Sequence, residues 1–152
     1  MAYVAREARQ ELLDDIAAAI DRLAAALAAL GAAYEQLDEQ TGDRLEDALF
    51  RPAQNAYGRA RRTHAGFAQR HGLPGREFAP ATAGTLAQPT RALVDRATDE
   101  IVAADELLAD LQDSMRPVEV GDAELRAGLA SVREILGGLP DAARELTRTL
   151  GR

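Results

Sequence analysis

Apolar residues fall at alternating steps of three and four through much of this chain. Leu13, Ile16, Ile20, Leu23, Leu27, Leu30, Tyr34 and Leu37 form the first series. That spacing holds every member on one side of an α-helix, so it predicts a long helix packed lengthwise against others. Val94, Ala97, Ile101, Ala104, Leu108, Leu111 and Met115 repeat it, as do Leu125, Leu129, Val132, Leu136, Leu139, Ala143, Leu146 and Leu150. Phe50, Ala53, Tyr57, Ala60, His64, Phe67 and His71 form a further, less apolar series. The pattern predicts an all-α protein, a single up-down-up-down antiparallel four-helix bundle over residues 1–152. Its helices are expected at about 4–39, 44–71, 90–116 and 122–150, with a long loop at 73–89.

Local signals set these boundaries. Thr41-Gly42-Asp43 is expected to break the first helix, with Asp43 capping the second and Glu46 completing a capping-box pair. Gly72 and Pro74 stop that second helix, and Pro52 in its early turns predicts a kink. Pro117 is expected to end the third helix and Asp122 to cap the fourth. Gly137, Gly138 and Pro140 interrupt the fourth without shifting its phase, so a kink or tight turn inside one rod is expected. Phe78, the single aromatic of the loop, is expected to pin it to the helices.

Composition narrows the chemistry. Lysine is absent, so all eighteen basic side chains are arginine, and tryptophan and cysteine are absent as well. Without cysteine there is no disulfide, thiolate nucleophile, cysteine metal site or covalently attached haem. A formal net charge of −7 argues against general nucleic-acid affinity. No export signal is visible in the first ten residues, which carry charge at Arg6, Glu7 and Arg9. The uncharged run Leu23 to Tyr34 is shorter than the roughly 20 residues of a membrane span, so a cytoplasmic protein without a membrane partner is expected. The first and third predicted helices are acidic and the second is basic, which suggests a basic rod lying between two acidic ones.

Helical bundles often hold metals, yet the Glu-x-x-His pair of di-iron bundles is missing. Arg61 and Ala68 stand three residues before His64 and His71. The clusters Asp43, Glu46, Asp47 and Asp95, Asp99, Glu100 invite a Mg²⁺ site, but helical phase turns Glu46 and Asp47 sideways or outward and Asp99 to solvent, and Glu100 and Asp105 only flank the seam, so neither a metal site nor a cofactor is expected. A metal-dependent nucleotide hydrolase is accordingly the least supported reading. His64, beside Ala65, Gly66 and Arg61, has some of the surroundings of the histidine in phosphotransfer domains. It lacks the lysine-glycine continuation, and its stripe points inward. Tyr57, His64 and Phe67 either line a pocket for a small ligand or form a core layer in which each polar tip finds one partner. Arg51, Arg59, Arg61, Arg62 and Arg70 offer a phosphate or nucleic-acid surface, but pairing within the molecule is the expectation.

The middle of the first helix carries alanines on its flanks and at the outer positions Ala18, Ala25, Ala28, Ala29 and Ala32. A helix apolar all round is buried on every side, and one four-helix bundle would leave one side open. A second copy meeting the first across Ala25, Ala28, Ala29 and Ala32 is the simplest cover, making the protein a homo-oligomer. The alternative is that alanine, a good helix former, is simply exposed there. The sequence therefore points to a non-catalytic protein acting through self-association. A small-ligand-binding bundle with its pocket near Tyr57 and His64 is the other reading.

Overall fold

The computed structural model describes residues 2–79 and 88–150. It is all-α, with no strand among the described residues. Helix α1 spans Ala2–Glu35, and α2 (Glu39–Leu45) leads through a π-helical turn at Glu46–Phe50 into α3 (Arg51–Arg70). After the connection come α4 (Thr90–Asp113), the single turn α5 (Arg116–Glu119), α6 (Ala123–Gly137) and α7 (Leu139–Leu150).

Several boundaries differ from the expected ones, each for a local reason. Residues 41–43 do not break the first rod. The break comes earlier, where extended Asp38 accepts a hydrogen bond from the Thr41 amide at 2.8 Å and so caps α2. Gly42 stays helical and buried because the Tyr34 ring lies against it; an added Cβ would stand 3.2 Å from the ring edge. Before Pro52 the helix widens into the π turn, in which the Arg51 amide reaches back five residues to the Glu46 carbonyl. That wider turn is where the missing proline donor is absorbed. Helix α3 ends as a Schellman motif, with Gly72 left-handed at φ 65° and the Leu73 amide on the Ala68 carbonyl at 2.8 Å. Pro117 does not end the third rod. The chain turns two residues earlier at Met115, left-handed at φ 65°, and Pro117 then opens α5, where a proline needs no donor. Asp122 caps α6 through the Leu125 amide at 2.8 Å. Across Gly137 and Gly138 the seam keeps its phase, with Leu136, Leu139, Ala143 and Leu146 all buried.

The order of the rods also departs from up-down-up-down. Arg6 donates to the Gly72 carbonyl, so α3 runs antiparallel to α1. Gln36, just past the end of α1, bonds the Gln88 carbonyl and Thr90 at 2.7 Å, while Arg116 meets Asp15 at 2.8 Å near the start. Helix α4 is therefore antiparallel to α1 too, and parallel to α3. Arg70 binds Asp122 at 2.8 Å, which turns α6 antiparallel to α3. Helix α1 packs on α3 and α4, and the α6–α7 rod packs on those same two helices from the other side. The two ends of the connection from His71 to Pro89 consequently lie at opposite ends of α3, which explains why it is long.

By length and composition α1 has the makings of a membrane span, but 67% of its most apolar window is buried against the rest of the chain. From Leu23 to Ala33 every residue is buried or half-buried. The other helices of the same chain thus cover the face that was expected to need a second copy. Close approach between helices recurs at α3–α6, where a Cβ on Gly128 would fall 2.2 Å from Thr63 Oγ1 and 3.0 Å from Thr63 Cβ. A Gly-to-Ala change inside an open helix stabilises by about 1 kcal/mol. Gly128→Ala should instead destabilise by about 1–3 kcal/mol through overpacking, and Thr63→Ala should recover part of that loss. Urea-melt midpoints of the two single variants and the double variant measure this; a neutral Gly128→Ala would contradict the close approach.

Candidate functional site

The crossover lays a polar segment over two of the helices. Leaving α3, residues 73–79 form a strap that runs back over the groove between α1 and α3. Buried Leu73 anchors its start. Arg76 forms an ion pair with Asp21 of α1 at 3.1 Å and lies 4.7 Å over the Phe78 ring. Phe78 in turn meets the His64 ring edge-on, with centroids 5.2 Å apart at 87°. The expectation that Phe78 pins the loop thus acquires a partner, and the partner is the histidine of the polar stripe.

Beside the strap lies a cleft of about 470 Å³. Gln10, Asp14, Ala17 and Asp21 form one wall, a column of α1 at helical spacing. Pro74, Gly75 and Arg76 of the strap face them, and His64 closes the interior. His64 is only 3% exposed, and its Nδ1 has no hydrogen-bond partner. Burial holds its pKa below the usual histidine range, helped by the nearby Arg76 cation; the Asp14 charge and the Leu13 backbone act the other way. The ring is therefore neutral at neutral pH, and in the tautomer that leaves Nδ1 bare this atom accepts a hydrogen bond. Asp14 accepts one from Gln10 Nε2 at 3.0 Å, whereas Asp21 is held by Arg76.

Of the three residues singled out for a ligand pocket, His64 alone reaches this cleft. Tyr57 is buried, with its hydroxyl unpartnered and Arg61 stacked 5.3 Å over its ring. Phe67 is fully buried and packs 4.4 Å from the His71 ring. Sequence reading missed Gln10, Asp14 and Asp21, which look like an ordinary solvated helix face until the strap is laid over them. Burial of His64 also separates it from the exposed histidine that phosphotransfer requires.

The alanines expected to form an outer strip lie inside: Ala29 is 0%, Ala32 7% and Ala28 8% exposed, and Ala25 is half-buried. The acidic groups of the sequence stay apart. Asp43, Asp47, Asp95 and Asp99 are exposed, Glu100 pairs with Arg22 at 3.3 Å, and no group of three His, Asp or Glu fit to hold a metal ion occurs among the described residues.

Pairing of the α3 arginines is only partial. Arg51 binds Glu46 and Asp47. Arg70 binds Asp122 and Glu124, and Asp122 also accepts from His71 at 3.0 Å, an arrangement that lowers the Asp122 pKa far below the carboxylate range. Arg59, Arg61 and Arg62 make no ion pair among the described residues, contrary to the expected internal pairing. Nor does basic α3 separate two acidic rods: acidic α4 packs directly along acidic α1.

Compared with protein-family models, curated proteins and solved structures, the chain matches none.

Two titrations make stability depend on pH. His64 has a folded pKa below the 6.5 of a free histidine, so the unfolded chain binds more protons at mildly acidic pH and stability falls as pH drops below 6.5. Asp122 has a depressed folded pKa; its contribution is complete above 3.8 and is lost as pH falls below that value. Urea denaturation from pH 8 down to pH 3 should therefore show two descending limbs. His64→Phe should flatten the upper limb alone and Asp122→Asn the lower one alone. An upper limb unchanged in His64→Phe would contradict the buried, neutral imidazole.

Proposed function

We propose that this chain is a non-catalytic binding protein on a four-helix bundle with one lengthwise crossover, and that it holds a small ligand in the strap cleft. One observation carries the reading: the His64 imidazole lines a cleft large enough for a small molecule, and its Nδ1 is buried without a partner. Among the described lining residues Arg76 is paired with Asp21 and Asp14 has no ion pair, so the favoured ligand carries positive charge. A small primary ammonium suits this lining, donating to the His64 imidazole and to the Asp14 carboxylate. His64 has no hydrogen-bonded acid or base to prime it for turnover, which favours binding over catalysis.

Self-association through α1 has less support, because three of its four alanines are covered by the chain's own helices.

The experiment is a titration of ¹⁵N-labelled protein with putrescine and with ethanolamine at pH 7.5, read at the His64 ring nitrogens and the α1 amides. Saturable shifts at His64 and around Asp14 are expected with at least one amine, and they should vanish in His64→Phe, which keeps an aromatic ring against Phe78. Absence of saturation with both amines, or equal binding by His64→Phe, would overturn the reading.

A further inference from the structure

Toward α6, α3 presents a second polar surface. Asn55, Arg59 and Arg62 recur at steps of four and three, so they stand in one column of the helix. With Gln54 and with Ser131 of α6 they line a groove of about 320 Å³. No carboxylate lines it. Of the acids nearby, Asp47 is taken by Arg51, and Glu124, which shares an adjoining groove with Arg59 and Arg62, is taken by Arg70; Glu77 borders Arg62 on its strap side without an ion pair to it. The segment 80–87 also contains no Asp or Glu.

Two guanidinium groups one turn apart repel each other, and the chain as a whole carries −7, so carboxylates to neutralise them are plentiful elsewhere. Arg51 and Arg70, at the two ends of the same helix, have such partners. In contrast, Arg59 Nε is shielded from solvent and has no acceptor. The Arg62 guanidinium lies over Gly58, where an added Cβ would come within 3.2 Å of its Nη1. Glycine at 58 thus leaves room for the arginine to fold down along the helix. Thr63, whose hydroxyl is bonded to the Arg59 carbonyl at 2.8 Å, packs closely on Gly128 and holds α3 against α6 at the edge of the groove.

We propose that this groove is an anion site for a phosphate group, free or carried on a small ester. Guanidinium forks match the oxygens of a phosphate, and the amide and hydroxyl groups of Gln54, Asn55 and Ser131 supply neutral donors around it. The groove volume exceeds that of a bare phosphate and leaves space for a small organic group. The site is separate from the strap cleft, since His64 points to the other side of α3, and it stands whether or not that cleft binds an amine.

The test is calorimetric titration of the intact chain with inorganic phosphate and with glycerol 3-phosphate, at fixed ionic strength set by sodium chloride. Saturable binding of one equivalent is expected. Binding of both ligands assigns the site to the phosphate group itself, and binding of the ester alone assigns it to a phosphorylated small molecule. Arg59→Gln combined with Arg62→Gln should weaken affinity by at least about tenfold, as loss of charge-assisted hydrogen bonds requires. Asn55→Asp, which sets a carboxylate in the groove at an exposed position, should do the same with the helix content unchanged by circular dichroism. His64→Phe should bind as the parent does. No saturation by either ligand at millimolar concentration, undiminished binding by both arginine and asparagine variants, or binding of a single-stranded oligonucleotide in place of both small ligands would overturn the proposal.

Discussion

Between Leu23 and Ala33 α1 has no charged side chain and no polar side, and the remaining helices are arranged to bring that segment out of water. Each leucine fully buried there contributes about 1.5–3 kcal/mol. The intervening alanines contribute less individually but allow neighbouring backbones to come close. Helix α4 lies along one flank of α1 and α3 along another, with Gly31 meeting the Phe50 ring just before α3. Covering α1 from both sides requires two neighbours, and both of them run antiparallel to it. Since α3 ends beside the start of α1, α4 can be the second such neighbour only if the chain first travels back the length of the bundle.

That return path has chemical consequences. The strap it forms must lie over the α1–α3 groove, and it does so on three contacts of different kinds: an apolar anchor at Leu73, the Arg76–Asp21 pair, and the Phe78–His64 ring contact. A histidine that would face a wet groove is thereby enclosed, and charged residues of α1 become walls of a cleft. Charge plays a subordinate part. Two acidic rods, α1 and α4, lie side by side because apolar burial along their seam outweighs exposed ion pairs, each worth about 0–1 kcal/mol. Arg22–Glu100 and Arg116–Asp15 relieve the contact at two points along it.

The all-helical character was readable from the 3-4 repeats because periodicity reports which side of each helix is buried, whatever it is buried against. Caps at Asp122 and Gly72 were readable for the same local reason. Partner choice was not, since a seam does not say which other seam it meets; pairing rods in chain order and spreading charge evenly both led to the wrong arrangement. The break before α2 was misplaced because Gly42 looks like a helix breaker, when its role is to admit the Tyr34 ring. The alanine face of α1 was read as a surface for a second copy because its intramolecular cover comes from residues far away in sequence. His64 was legible as an inward polar group from its stripe. Asp14 and Gln10 were not, because nothing local marks a surface residue that a distant strap will roof.

The central claim is the antiparallel pairing of α1 with α4 that makes the strap necessary. Because the chain has no cysteine, nitroxide labels can be attached at cysteines replacing Glu35 and Arg91, both exposed, and their separation read by double electron–electron resonance. Neighbouring helices lie 8–10 Å apart, so with labels at the same end of the two rods the account predicts a distance within about 20 Å. A parallel pairing would displace the two sites along the axis by the length of α4, about 36 Å for its 24 residues, and a distance in that range would contradict the fold and the origin of the cleft together.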